Sequence, residues 1–185
     1  MSYDFRLFKR KPGEDPETTA RAESDGLPAT PPDPQKELLK RKIGDLLIAR
    51  NPKLEYFQFE YEQIAQTRKI SVEEARRLHR HLELNNLAKD SNGIRITLFD
   101  DEASITVPYY HIGEKAADVF REIWGYMEII CRESGYLVYD NQIDRILDLP
   151  AGCQDSLACY TGTSQPASQT ITRSGGAKKS WWKFW

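Results

Sequence analysis

Ile94-Arg95-Ile96-Thr97-Leu98-Phe99-Asp100-Asp101-Glu102-Ala103-Ser104-Ile105-Thr106-Val107-Pro108-Tyr109 is the stretch on which the fold turns. Ile94, Ile96 and Leu98 alternate with Arg95 and Thr97, and Ile105, Val107 and Tyr109 repeat the same period of two. That period sends one set of side chains to a buried face and the other toward water, which defines two strands. Asp100-Asp101-Glu102 lies between them and reads as the tip of a hairpin. An antiparallel sheet is therefore predicted at the centre of the chain.

Outward from the hairpin, Tyr3, Phe5 and Leu7 alternate with Asp4 and Arg6, predicting a strand over 3–8. Leu82 and Leu84 alternate with Glu83 and Asn85, and residues 136–139 supply a last strand. Asp33-Pro34 reads as an N-cap and first helical residue. The helix after it, over 34–50, carries Leu39, Ile43, Leu46 and Leu47 and stops at Asn51-Pro52. Two short helices follow over 61–67 and 71–79, the second opened by the capping box Ser71-Val72-Glu73-Glu74. A long helix over 114–133 places Ala116, Phe120, Ile123, Trp124, Met127, Ile130 and Cys131 on one side, and Ser134-Gly135 closes it.

These elements predict one α+β domain over residues 1–150. Its mainly antiparallel sheet has about five strands, with two main helices packed on it, and its first and last strands are neighbours near the centre. Residues 141–149 turn back over the domain. Residues 11–32, rich in Pro and Gly and poor in apolar side chains, read as a mobile loop. Residues 151–176 collapse into Ser, Thr, Gln, Gly and Ala and read as a disordered linker. Residues 177–185 form a separate basic and aromatic C-terminal segment.

The chain has 185 residues, of which 39% are hydrophobic and 29% charged, enough for one core with much polar surface. Its net charge of −2 hides an asymmetry. Beyond residue 150 four basic residues (Arg173, Lys178, Lys179, Lys183) face one acid (Asp155), which leaves 22 of the 26 basic and 27 of the 28 acidic residues in the body. An acidic body argues against nucleic acid as a partner, whereas the basic end favours anionic surfaces. Met1 to Lys11 is polar and lacks the pattern of a signal peptide, and no window approaches the length of a membrane span. Three cysteines (Cys131, Cys153, Cys159), without CxxC spacing, point to reduced thiols and a cytoplasmic protein.

Candidate site residues fall into two sets. Trp181, Trp182, Phe184 and Trp185, with Lys178, Lys179 and Lys183, place three of the four tryptophans at a chain end. Large rings left in water are costly, so the segment reads as a plug for a protein partner's groove or for the inner membrane surface. The alternative to weigh against this docking is a segment folded back on its own domain. The second set, Arg76, Arg77 and Arg80, would meet DNA phosphates if residues 61–84 form a helix-turn-helix and the hairpin is the wing of a winged helix. Lys69 and Arg68 at the turn and a near balance of charge weaken that reading, and a strand at 81–85 inside the sheet would exclude it.

The acidic triplet Asp100, Asp101, Glu102 reads as a solvated hairpin tip rather than a cation site. His79, His81 and His111 read as structural or surface residues rather than zinc ligands. No activated nucleophile and no Gly-rich phosphate loop is legible, so no cofactor and no catalytic residue is assigned.

The opening Ser2-Tyr3-Asp4-Phe5-Arg6-Leu7-Phe8, with Lys11-Pro12-Gly13-Glu14-Asp15-Pro16, resembles the start of an uncharacterised bacterial family of small α+β proteins. Gly135-Tyr136-Leu137-Val138-Tyr139-Asp140-Asn141-Gln142 is similar to that family's late YDPQ signature, with Asn141 in place of Pro. The resemblance covers most of residues 1–149 and implies a ferredoxin-like sandwich without an assigned activity. Some relatives look like immunity-type or accessory proteins of bacterial toxin systems, which implies a binding role.

Overall fold

The alternation around Asp100 does build the sheet. The computed structural model describes residues 2–21, 31–86, 88, 91–149 and 152–164, as strands β1 (Ser2–Phe8), β2 (Glu55–Tyr56), β3 (Leu82–Asn85), β4 (Arg95–Leu98), β5 (Glu102–Pro108), β6 (Leu137–Asp140) and β7 (Arg145–Leu147). The helices are α1 (Pro16–Arg21), α2 (Pro34–Arg50), α3 (Tyr61–Arg68), α4 (Val72–Leu78), α5 (Gly113–Ser134) and α6 (Cys153–Ser164). The seven strands form one sheet in the order β2-β3-β4-β5-β1-β6-β7, with every pairing antiparallel. The count is seven rather than about five, because β2 and β7 extend the two edges. The first and last of the predicted strands, β1 and β6, are neighbours.

Local signals open and close the helices where the sequence places them. The Asp33 side chain accepts from the Gln35 amide at 2.9 Å, and Ser71 Oγ accepts from the Glu74 amide at 3.0 Å. Each satisfies an amide that the first helical turn leaves without a partner. Gly135 adopts φ 71°, a left-handed turn that glycine reaches without Cβ strain, and closes α5.

One face of the sheet carries the core. Tyr3, Phe5 and Leu7 of β1 are fully buried with Ile43 and Leu47 of α2, Phe120 and Ile123 of α5, and Tyr160 of α6. Phe5 meets Trp124 edge-on at 6.3 Å and Phe120 at 6.1 Å. Burying each such side chain is worth about 2–3 kcal/mol. A smaller cluster of Phe8, Ala20 and Tyr139 includes α1, and Arg6, which alternates with the core residues of β1, donates to the Ala20 carbonyl at 2.8 Å.

Three expectations are corrected. Residues 11–32 are not wholly a loop: α1 forms within them and buries Thr19 and Ala20, while residues 22–30 lie outside the described ones. Residues 141–149 do not merely turn back but form β7, with Leu147 opposite Val138. The linker expected from 151 begins instead with α6, whose Ser156 and Tyr160 are fully buried, so the domain runs past residue 150 to 164. Thr, Ser and Gly hide this helix from a sequence reading, because only Ser156 and Tyr160 are fully buried while Cys153, Leu157 and Cys159 pack half-buried beside them.

Candidate interaction sites

The tail residues Lys178, Lys179, Trp181, Trp182, Lys183, Phe184 and Trp185 lie outside the described residues. Their point of departure is α6. Tyr160 donates to the Pro108 carbonyl, its oxygen accepts from the His111 amide at 3.2 Å, and its ring stacks on Tyr109 at 5.4 Å. These contacts moor the helix beside the loop between β5 and α5, where Tyr110 and Ile112 are exposed.

The three arginines of the alternative do not act together. Arg76 and Arg77 are exposed on α4; Arg76 lies over the Tyr61 ring at 5.0 Å and 4.0 Å from Glu62, and Arg77 lies 3.5 Å from Glu74. Arg80 turns inward and pairs with Asp100. Lys40, 3% exposed, completes that corner, its Nζ at 2.9 Å from Asp100, 2.7 Å from Glu37 and 3.0 Å from the Arg80 carbonyl. Burial alone would raise the Asp100 carboxyl, but Lys40 and Arg80 hold it below the ordinary carboxylate range. Residues 82–85 form β3, hydrogen-bonded to β2 and β4. The inward Arg80 and this paired strand both weigh against a phosphate-reading surface.

The acidic triplet is matched by the chain's own cations, with Asp101 2.6 Å from Lys36 and Glu102 2.8 Å from Arg6. His111 is buried with Nε2 2.6 Å from the Asn92 carbonyl oxygen, and burial lowers its pKa. Among the described residues no group of three His, Cys, Asp or Glu side chains is placed to hold a metal. No helix among them is long and apolar enough to cross a membrane.

Sequence reasoning does not reach a buried polar centre that the opening and late motifs build together. Asp140, fully buried, accepts from the Tyr3 hydroxyl at 2.7 Å, the Ser156 hydroxyl at 2.6 Å, and the amides of Gln142 and Ile143 at 2.9 and 3.2 Å. Gln142 Oε1 accepts from the Asp4 amide at 3.2 Å, and Asn141 Nδ2 donates to the Asp4 carbonyl at 3.3 Å. Asp144 accepts from Arg21 at 2.9 Å and from Tyr139. The opening motif and the late motif are therefore two sides of one knot that ties β1, β6 and α6 together. Burial, then the bond to Asp140, pushes the Tyr3 phenol far above its ordinary pKa, so its hydroxyl remains a donor. No protein-family model, curated protein or solved structure matches the chain.

Proposed function

We propose that this chain is a non-enzymatic, cytoplasmic interaction protein of bacterial immunity or accessory type. It docks through Trp181, Trp182, Phe184 and Trp185, with Lys178, Lys179 and Lys183, on a protein partner or on the inner membrane face. What supports this reading is the clustering of three of the four tryptophans, with Phe184 and three lysines, within residues 177–185. The fourth tryptophan, Trp124, is 5% exposed against Phe5, and Tyr3, Phe5, Phe120, Tyr126 and Tyr160 are all fully buried. Large apolar side chains exposed among the described residues are Leu38, Phe57, Val72, Tyr110 and Ile112, placed on four separate segments. Large aromatic rings gain by burial against a partner or a lipid surface, and tryptophan is a favoured anchor for both. Residues 165–180, fully stretched, span about 55 Å, so a surface well beyond the domain is within reach of the aromatic segment.

The inner strands β4-β5-β1-β6, with α2 and α5 connecting them, support the ferredoxin-like architecture that the resemblance implies. In this reading β2, α3, α4 and β3 are an insertion at one edge.

The test compares the full chain with one ending at residue 176. Anionic phosphatidylglycerol vesicles and a cell lysate serve as two separate baits. Binding to either that disappears with the truncation supports the reading, and the bait that responds identifies the docking surface. Equal binding by both chains refutes it. So does a lower melting temperature of the truncated chain combined with tryptophan emission that neither bait moves, because the rings then belong to the chain's own core.

A further inference from the structure

We propose that the ring cluster Phe59–His79–His81–Phe99 is an acid-released latch that holds the α3–α4 pair on the sheet. Phe59 lies just before α3, His79 caps the C-terminus of α4, His81 leads into β3, and Phe99 follows β4. Their rings touch in sequence: Phe59 is 5.3 Å from His79 and 4.9 Å from His81, His79 and His81 are 5.7 Å apart, and His81 is 5.2 Å from Phe99. Phe57 and Tyr61 extend the cluster from Phe59 at 5.0 and 6.1 Å. The two helices fully bury only Ala65 and Ala75 and half-bury Ile64 and Leu78, so the ring cluster is a substantial part of their attachment.

Two of the rings are titratable, and the site suits them only when neutral. Both nitrogens of His79 are buried and have no hydrogen-bond partner among the described residues. An imidazolium there would present two donors with no acceptor. The charges around the pair are mostly positive: Lys40 from α2, Arg95 from β4 and Arg68 from α3, with Arg80 between the two histidines in sequence. Asp100, the acid of that corner, is already engaged by Lys40 and Arg80. Burial comes first among the causes that lower both imidazoles, and His81 is taken down to about 4, with His79, Lys40 and Arg95 adding to the effect.

The sign follows from linkage. In a released state the rings titrate near 6.5, so between pH about 6.5 and about 4 that state binds more protons than the latched one. The latch therefore weakens as pH falls through this window and is indifferent to pH above it. Release would uncover Phe59 and Phe99 and separate β2 from the short helices that follow it.

The test uses the full chain. Amide exchange in 61–78, corrected for intrinsic rate, is compared between pH 7 and pH 5, with α5 as an internal reference. Histidine ring signals are followed by NMR over the same range. The expected result is a loss of protection in 61–78 of at least about tenfold at pH 5, with α5 unaffected. A chain carrying His79→Phe and His81→Phe should keep that protection, because a phenyl ring packs without charging. Unchanged protection of 61–78 in the parent chain overturns the proposal, as does titration of both rings near 6.5 while the helices stay protected. Equal acid sensitivity in the double variant overturns it too. If that variant fails to fold, the parent chain's titration and exchange decide the matter.

Discussion

Replacing Asp140 by Ala should loosen the domain at the point where its two sequence motifs meet. The substitution leaves the hydroxyls of Tyr3 and Ser156, both at fully buried residues, without their acceptor. Each stranded buried donor costs about 1–3 kcal/mol. The amides of Gln142 and Ile143 lie nearer the surface and regain water, so they add little. The total is about 3–5 kcal/mol, a large share of the roughly 5–15 kcal/mol that stabilises a typical domain. At about 2–4 °C per kcal/mol for a chain of this size, the melting temperature should fall by roughly 10–15 °C. Calorimetry of the parent and variant measures that fall, and amide exchange in α6 locates it, because Ser156 is the α6 donor to the knot. Tyr3→Phe alone should cost about 1–2 kcal/mol, and a double-mutant cycle with Asp140→Ala should show coupling of at least about 1 kcal/mol. A melting temperature lowered by less than about 2 °C, or additive single effects, would show that the carboxyl group is not what joins β1, β6 and α6.

Other outcomes follow from the same geometry. Arg80→Ala strips Asp100 of one of its two cations in a corner only 11–14% exposed and should cost about 2 kcal/mol or more in urea unfolding. Arg76→Ala and Arg77→Ala, on the exposed face of α4, should each stay within about 0.5 kcal/mol of the parent. The reverse order would contradict the inward placement of Arg80. Burial pushes the Cys131 thiol up to about 11 from an ordinary value near 9. Its thiolate is therefore scarcer at any neutral pH, and alkylation at pH 8 should run about a hundredfold slower than for an unstructured peptide thiol. A rate within about threefold of that peptide, read site by site by mass spectrometry, would contradict the burial.

The interaction sites divide along the same physical line as the fold. Arg76 and Arg77 stand on the short helix that the capping box at Ser71 announces, where the sequence places them. That Arg80 turns away from them onto Asp100 is not legible locally, since the partner comes from a turn twenty residues later and the third member, Lys40, from another helix. Tyr3 and Asp140 each stand in a sequence motif, but nothing in either motif says that they touch. Their contact exists because β6 pairs with β1 in a register that sets Phe5 opposite Asp140.

Much of this chain's local structure was decided within a few residues. Alternation in Ile94–Leu98 and Ile105–Tyr109 made strands, Asp33 and Ser71 opened helices, and Gly135 ended one, because caps and side-chain periods act over one or two turns. The tertiary structure decided the rest. β2 is two residues long and carries no period, yet it lies against α2 because Tyr56 crosses Gly44, where a Cβ would collide with its ring, and bonds Asp45 at 2.9 Å. β7 gains its place from pairing with β6, and α6 from burying Ser156 against Asp140 of β6 and Tyr160 against β5 and the far end of the chain at Tyr3. Such segments are stabilised by surfaces that form only once the chain has closed, so their own residues carry little sign of it.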